Sequence, residues 1–266
     1  MELLDIYSAV AFFCYLLATL AILTRLFHPQ GPNLKLVLLT GAVAVVAHTL
    51  TNAHILFADD SVNFSLPNVI SLVSLFITLV VSAISFKFKV NLLLPVVYGF
   101  AGIWQLLMIF IPPLDEIPLS ADKLVVLTHI VLSLVAYCVL VIATLYAFQV
   151  AYINFKLKSK NLAAVSHLPP LMQVEKQLFI ILAIGVFFLS ASELSGFVFM
   201  ENFLSKDTAH KTVLSLIALI IYLVILWGHF KQGWRGHRVL VLTICATALL
   251  TLSYFGSRFV KEFLLS

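Results

Sequence analysis

About eight apolar stretches, each close to or above the roughly 20 residues a helix needs to cross a hydrocarbon core, fill this chain and leave only short breaks between them. They run over about 5–26, 34–56, 66–86, 90–111, 124–154, 177–200, 212–231 and 238–262. Their apolar character is continuous rather than alternating, which predicts helices and excludes a transmembrane β-barrel. Composition agrees: 62% of the 266 residues are hydrophobic and 11% charged, against about 45–50% and about 25% in a soluble domain. An ordinary water-soluble enzyme, a disordered chain, a collagen-like chain and a disulfide scaffold are all excluded. The expected fold is all-α, a polytopic membrane helical bundle of about eight transmembrane helices, one domain over 1–266. Its first partner is the lipid bilayer, and no nucleic acid is expected.

The breaks carry turn and charge signals: His28-Pro29-Gln30-Gly31-Pro32, Asp59-Asp60, Lys87-Phe88-Lys89, Pro112-Pro113, the basic stretch from Lys156, and Lys231 through Arg238. Basic residues orient such a bundle, because they are retained on the inner side. Eleven of the sixteen (Arg25, Lys35, Lys87, Lys89, Lys156, Lys158, Lys160, Lys176, Lys231, Arg235 and Arg238) fall in alternate connections, and ten of the twelve acids fall on the other side. Both termini are therefore expected outside. The first run follows Met1-Glu2-Leu3-Leu4-Asp5, acidic and without a small-residue cleavage pattern, so a retained helix is expected. The fifth run is too long for one bilayer and is expected to project towards Lys156, Lys158 and Lys160. The connection 155–176 is expected to hold a short surface helix ending in Glu175-Lys176.

Polar side chains inside a span face the bundle interior, where they find partners. Ser71, Ser74, Thr78, Ser82 and Ser85 form one stripe at helical spacing, and Thr243, Thr247, Thr251, Tyr254 and Arg258 another. Hydroxyl residues let membrane helices approach closely, so these stripes read as packing, Arg258 apart. Three further stripes each carry a histidine: Gly41, Ala44, His48, Asn52; His129, Ser133, Tyr137, Thr144; and Ser215, Ala218, Tyr222, Ile225, His229. One such histidine is ordinarily a hydrogen-bonded packing residue. Three on inward faces also suit haem, whose iron takes imidazole as an axial ligand. Zinc or copper is less suited, since no carboxylate or thiolate lies one turn from them. Cys14, Cys138 and Cys245 sit singly in apolar runs and read as packing residues. Glu193 is the acid deepest in a span. It reads as a pair with Arg258, as a neutral carboxylic acid, or as a functional group. His210, beside Lys211, is placed to reach a ligand on the outer face.

Four segments carry a resemblance. They are Val46-Ala47-His48-Thr49-Leu50 with Phe64-Ser65-Leu66-Pro67-Asn68; Thr128-His129-Ile130 running to Ser133-Leu134-Val135-Ala136-Tyr137; Trp227-Gly228-His229; and Gly233-Trp234-Arg235-Gly236. In this order they resemble the cytochrome c assembly superfamily, haem-handling membrane proteins of the CcsA/CcmC type, and within it the short bacterial HemX-like and YpjD-like inner-membrane members. The resemblance implies that His48 and His229 match the family's intramembrane haem ligands and His129 one ligand of its outer haem site. The family's tryptophan-rich outer motif is missing from 195–211, as is its last outer histidine near the C-terminus. Cytochrome c ligation by this chain alone is therefore not expected. At about 1.5 Å per residue, His229 falls near the inner surface and His48 just outside mid-helix. Depth thus pairs His48 better with His129, and the ligand pair stays open.

The resulting expectation is a non-enzymatic, multi-pass protein of the bacterial inner (cell) membrane that binds haem through His48, His129 or His229. Arg235 and the basic loops would hold propionates, and the role would be haem handling or assembly of a cytochrome or membrane complex. Two alternatives belong to other classes. One is a structural or regulatory subunit without haem that stabilises a partner membrane protein such as an ion transporter. The other is a small-solute transporter with Glu193 coupled to protons, against which stands the lack of an inverted repeat and of paired broken helices.

Overall fold

The computed structural model describes residues 3–25, 31–56, 65–88, 90–111, 124–159, 168–199, 209–256 and 259. All regular structure among them is helical: α1 Leu3–Leu23, α2 Leu34–Leu56, α3 Leu66–Ser85, α4 Leu94–Met108, α5 Leu124–Lys158, α6 Leu171–Phe199, α7 Ala209–Gln232, α8 His237–Thr251, and a π-helical turn Leu252–Gly256. Seven of these helical segments are long and apolar enough to cross a membrane, the seventh being α8 continued through the π turn, His237–Gly256; α4 is shorter. Its 15 residues reach about 22 Å, less than the roughly 30 Å core, where the sequence predicts a span over 90–111. Pro95 at its first turn fixes the start, since proline has no N–H to give to a preceding helical turn.

Two other boundaries differ from expectation. Glu175 and Lys176 lie inside α6 rather than ending a surface helix, because the Pro170 carbonyl receives the Gln173 and Val174 N–H groups and starts the helix six residues before the predicted span at 177. The last span passes from α-helix into the π turn at Leu252. The length of α5, 35 residues or about 52 Å, agrees with a helix that projects beyond the bilayer at its lysine-bearing end.

The chain forms two compact units, residues 1–120 with 161–169, and residues 121–160 with 170–266. In the first, α1 packs on α2 and α4, and α3 packs on the same two helices. One face of α1 is buried through Ser8, Ala11, Tyr15, Ala18 and Ile22, at steps of three or four. Phe13, Leu17 and Leu20 point outward, as lipid-facing residues should. In the second unit α5 packs along α6 and against α8, while α7 packs on α6, α8 and the π turn. Apolar burial cannot distinguish one helix face from another in lipid, because the outside is as apolar as the inside. The scarce polar contacts therefore select which faces meet.

Candidate functional site

In the first unit the polar groups converge on His48. The imidazole is fully buried, with Nδ1 3.2 Å from the Tyr15 hydroxyl of α1 and Nε2 3.1 Å from Ser71 Oγ of α3. The Gln105 amide of α4 donates to the same Ser71 Oγ at 3.1 Å. One residue from each of the four helices thus joins a single series. Either neutral tautomer closes it, since the imidazole offers one donor and one acceptor and each hydroxyl can answer either. Tyr15 also stands edge-on to the imidazole and packs on Tyr98, whose hydroxyl bonds Ser82 at 2.9 Å. Of the predicted serine and threonine stripe on α3, Ser71 and Ser82 therefore bind other helices. Ser74, Thr78 and Ser85 donate back to carbonyls of their own helix.

The second unit carries a polar seam along its interior. At one end the His129 Nδ1–H of α5 meets the Ser192 carbonyl of α6 at 2.9 Å, with Ser195 Oγ at 3.1 Å. Ser133 and Ser192 hydroxyls are 2.5 Å apart. Further along, Tyr137 bonds Thr251 at 3.0 Å, Tyr222 bonds Thr247 at 2.7 Å, and Thr247 bonds Thr144 at 2.6 Å. Glu193 of α6 lies beside Ser215 of α7 and faces Tyr254 of the π turn. Its predicted partner Arg258 lies outside the described residues.

His229 occupies the other end. Gly233, at φ +67°, ends α7: its N–H bonds the His229 carbonyl and the Trp234 N–H bonds the Gly228 carbonyl, so the chain curls back. The Trp234 ring lies directly on Gly228, where no Cβ would fit. This turn brings the Trp234 carbonyl 3.2 Å from His229 Nδ1. A carbonyl only accepts, so the proton is on Nδ1 and Nε2 keeps its lone pair. Nε2 has no hydrogen-bond partner among the described residues, and Phe179 of α6 stacks on the ring at 3.4 Å between centroids. Arg235, two residues beyond Gly233, pairs with Glu175 at 3.8 Å.

A metal-bound histidine characteristically donates its second N–H to a carbonyl and presents the other nitrogen; His229 has that arrangement. His48 does not, because both its ring nitrogens are within hydrogen-bonding distance of hydroxyls and the ring is sealed. His129 and His229 belong to one unit but touch α6 at Ser192 and at Phe179. Those positions are about 20 Å apart along the axis, so they do not share one iron. Among the described residues no group of three His, Cys, Asp or Glu side chains could hold a metal ion, and none of the three cysteines forms a disulfide. His54 and His210 are exposed at helix ends; His28 and His167 lie outside the described residues. Tyr15, Gln105 and Phe179 are not singled out by the sequence, and only the periodic placement of Tyr15 and Gln105 in apolar runs could have signalled two of them; Trp234 enters there only as part of the Gly233–Gly236 segment.

Comparison with known proteins bears on the same residues. The family model described as "Cytochrome C assembly protein" matches residues 36–265, which include all three histidines. The chain is 39% identical over 261 residues to "Inner membrane protein YpjD" of Escherichia coli K12, covering 97% of this chain and 99% of that one. It is 29% identical over 140 residues, about half of each chain, to an "Uncharacterized 28.8 kDa protein in nifR3-like 5'region" of Azospirillum brasilense. No solved structure matches. With seven helices able to span a bilayer among the described residues and an inner-membrane relative matching over 97% of this sequence, the chain is a multi-pass inner-membrane protein. It belongs to the cytochrome c assembly protein family.

Proposed function

We infer that this protein is a non-enzymatic haem-handling component of the inner membrane, acting in the assembly of a cytochrome or another membrane complex, with His229 as an axial haem ligand. The observation that carries this reading is the His229 geometry: Nδ1–H held by the Trp234 carbonyl and Nε2 left to coordinate. Haem, when bound, would supply an iron centre and a redox-active ring. The chain's own residues would position and shield it. Phe179, buried against the imidazole, fixes the ring plane. The turn at Gly233 sets the tautomer, and Arg235 is the basic group beside it that a propionate would draw from Glu175. His48 has a scaffolding part in this reading.

Purified protein supplemented with haem should develop a Soret band that His229→Ala abolishes and His48→Gln leaves in place. Wild-type protein without haem-dependent absorption would sink the reading. A second reading, a subunit without haem that stabilises a partner membrane protein, draws support from the sealed hydrogen-bonding of His48. It predicts co-purification of a partner membrane protein and unchanged partner levels after His229→Ala.

A further inference from the structure

The polar seam of the second unit poses a question of proton placement. Each hydroxyl carries one hydrogen, and most of those along the seam are already committed. Ser133 donates to the His129 carbonyl at 2.8 Å, so the Ser192 hydroxyl donates to Ser133. Ser195 donates to the Ser192 carbonyl, and Thr251 to the Thr247 carbonyl, so Tyr137 donates to Thr251. Thr144 donates to the Leu140 carbonyl, which directs Thr247 towards Thr144 and Tyr222 towards Thr247. Ser215, the hydroxyl beside the Glu193 carboxyl, donates to the Thr212 carbonyl at 3.0 Å. It therefore meets Glu193 as an acceptor, and only a protonated carboxyl can donate to it.

Two groups stand outside this scheme. Among the described residues Glu193 Oε2 is buried with no hydrogen-bond partner, and the Tyr254 hydroxyl, which lies near Ser133 and Glu193, likewise has none. Tyr254 is carried by the π turn Leu252–Gly256, the kind of local irregularity that recurs where a side chain is re-aimed for function. Tyr254 faces Glu193 and is itself faced by Tyr137 of α5 and Tyr222 of α7, while His129 of α5 bonds the neighbouring Ser192 carbonyl. Lys211 lies one helical turn before Ser215 on α7.

We propose that Glu193, Ser215 and Tyr254 form a proton-binding site inside the second unit: the carboxyl carries an exchangeable proton donated to Ser215, and Tyr254 supplies the donor when that proton leaves. In the exchange the carboxyl O–H bond breaks and its proton leaves to water. The Tyr254 O–H, whose hydrogen has no acceptor among the described residues, then turns to the carboxylate. The proton is the only species gained or lost. An unpaired carboxylate inside a membrane bundle is unfavourable, and the tyrosine donor offsets part of that penalty.

Infrared spectroscopy of the full chain in lipid nanodiscs tests this. At neutral pH the wild type should show a carboxylic acid carbonyl band that moves in deuterated buffer and is absent from Glu193→Gln. That variant copies the neutral acid in shape and should keep the wild-type thermal midpoint. Ser215→Ala and Tyr254→Phe, which leave Glu193 in place, should each shift the band. Tyr254→Phe should also raise the pH at which the band is lost by about one unit, a tenfold change in proton affinity. A wild-type spectrum without that band at neutral pH would show an ionised Glu193 and overturn the proposal, as would a band that does not move in deuterated buffer.

Discussion

Replacing His48 separates the two roles open to a buried imidazole. The ring is fully enclosed and joins α1 to α3 through bonds of 3.2 and 3.1 Å. In membrane bundles such interhelical bonds average about 0.6 kcal/mol each, so the two contribute about 1 kcal/mol together. His48→Ala also empties a packed site, for which buried large-to-small changes cost about 2–5 kcal/mol. The Tyr15 hydroxyl retains Thr78 beside it and Ser71 retains Gln105. The expected loss is about 3 kcal/mol. His48→Gln keeps a donor and an acceptor and most of the volume, so it should recover to within about 1 kcal/mol of wild type. Reversible unfolding in mixed detergent would measure both, and a His48/Tyr15 double-mutant cycle should return a coupling of about 0.6 kcal/mol. The reasoning is refuted if His48→Ala unfolds like wild type. It is equally refuted if His48→Gln is stable but loses the haem absorption of the wild type, since glutamine can replace the hydrogen bonds but not iron ligation.

Other perturbations follow from the same geometry. Gly228→Ala drives a methyl group into the Trp234 ring; it should cost about 1–3 kcal/mol, alter tryptophan fluorescence and weaken any Soret band by releasing the His229 tautomer. Thr247→Val removes the hydroxyl shared by Tyr222 and Thr144, with an expected loss of about 1–2 kcal/mol in the same unfolding assay. Arg235→Ala should change stability by less than about 1 kcal/mol, because its side chain is 59% exposed and the pair with Glu175 is long. A larger effect would mean that Arg235 holds the turn together.

The inward stripes were legible because a polar side chain in a bilayer has few places to go. Ser71, His48, Tyr222 and Thr247 all found partners on other helices, as the periodicity of each span required. Helix ends were less legible. The start of α6 depended on a proline carbonyl acting as a cap, and α4 lost residues at both ends of its predicted span. Partners were hardest, since Tyr15 and Gln105 look like ordinary residues of apolar runs until four helices bring them to one imidazole.

The sequence by itself determined that this chain is a helical membrane protein, which faces of its helices turn inward, and that three histidines lie on those faces. These properties are local: hydropathy and spacing along one helix decide them, whatever the neighbours are. Only the tertiary structure distinguished the three histidines. His48 became a four-helix hydrogen-bond centre, His129 a contact between α5 and α6, and His229 a ring with one nitrogen held and the other without a hydrogen-bond partner among the described residues. That difference rests on which hydroxyl or carbonyl stands opposite each nitrogen. Such groups arrive from residues distant in the chain, or from a turn whose backward curl no helical periodicity records.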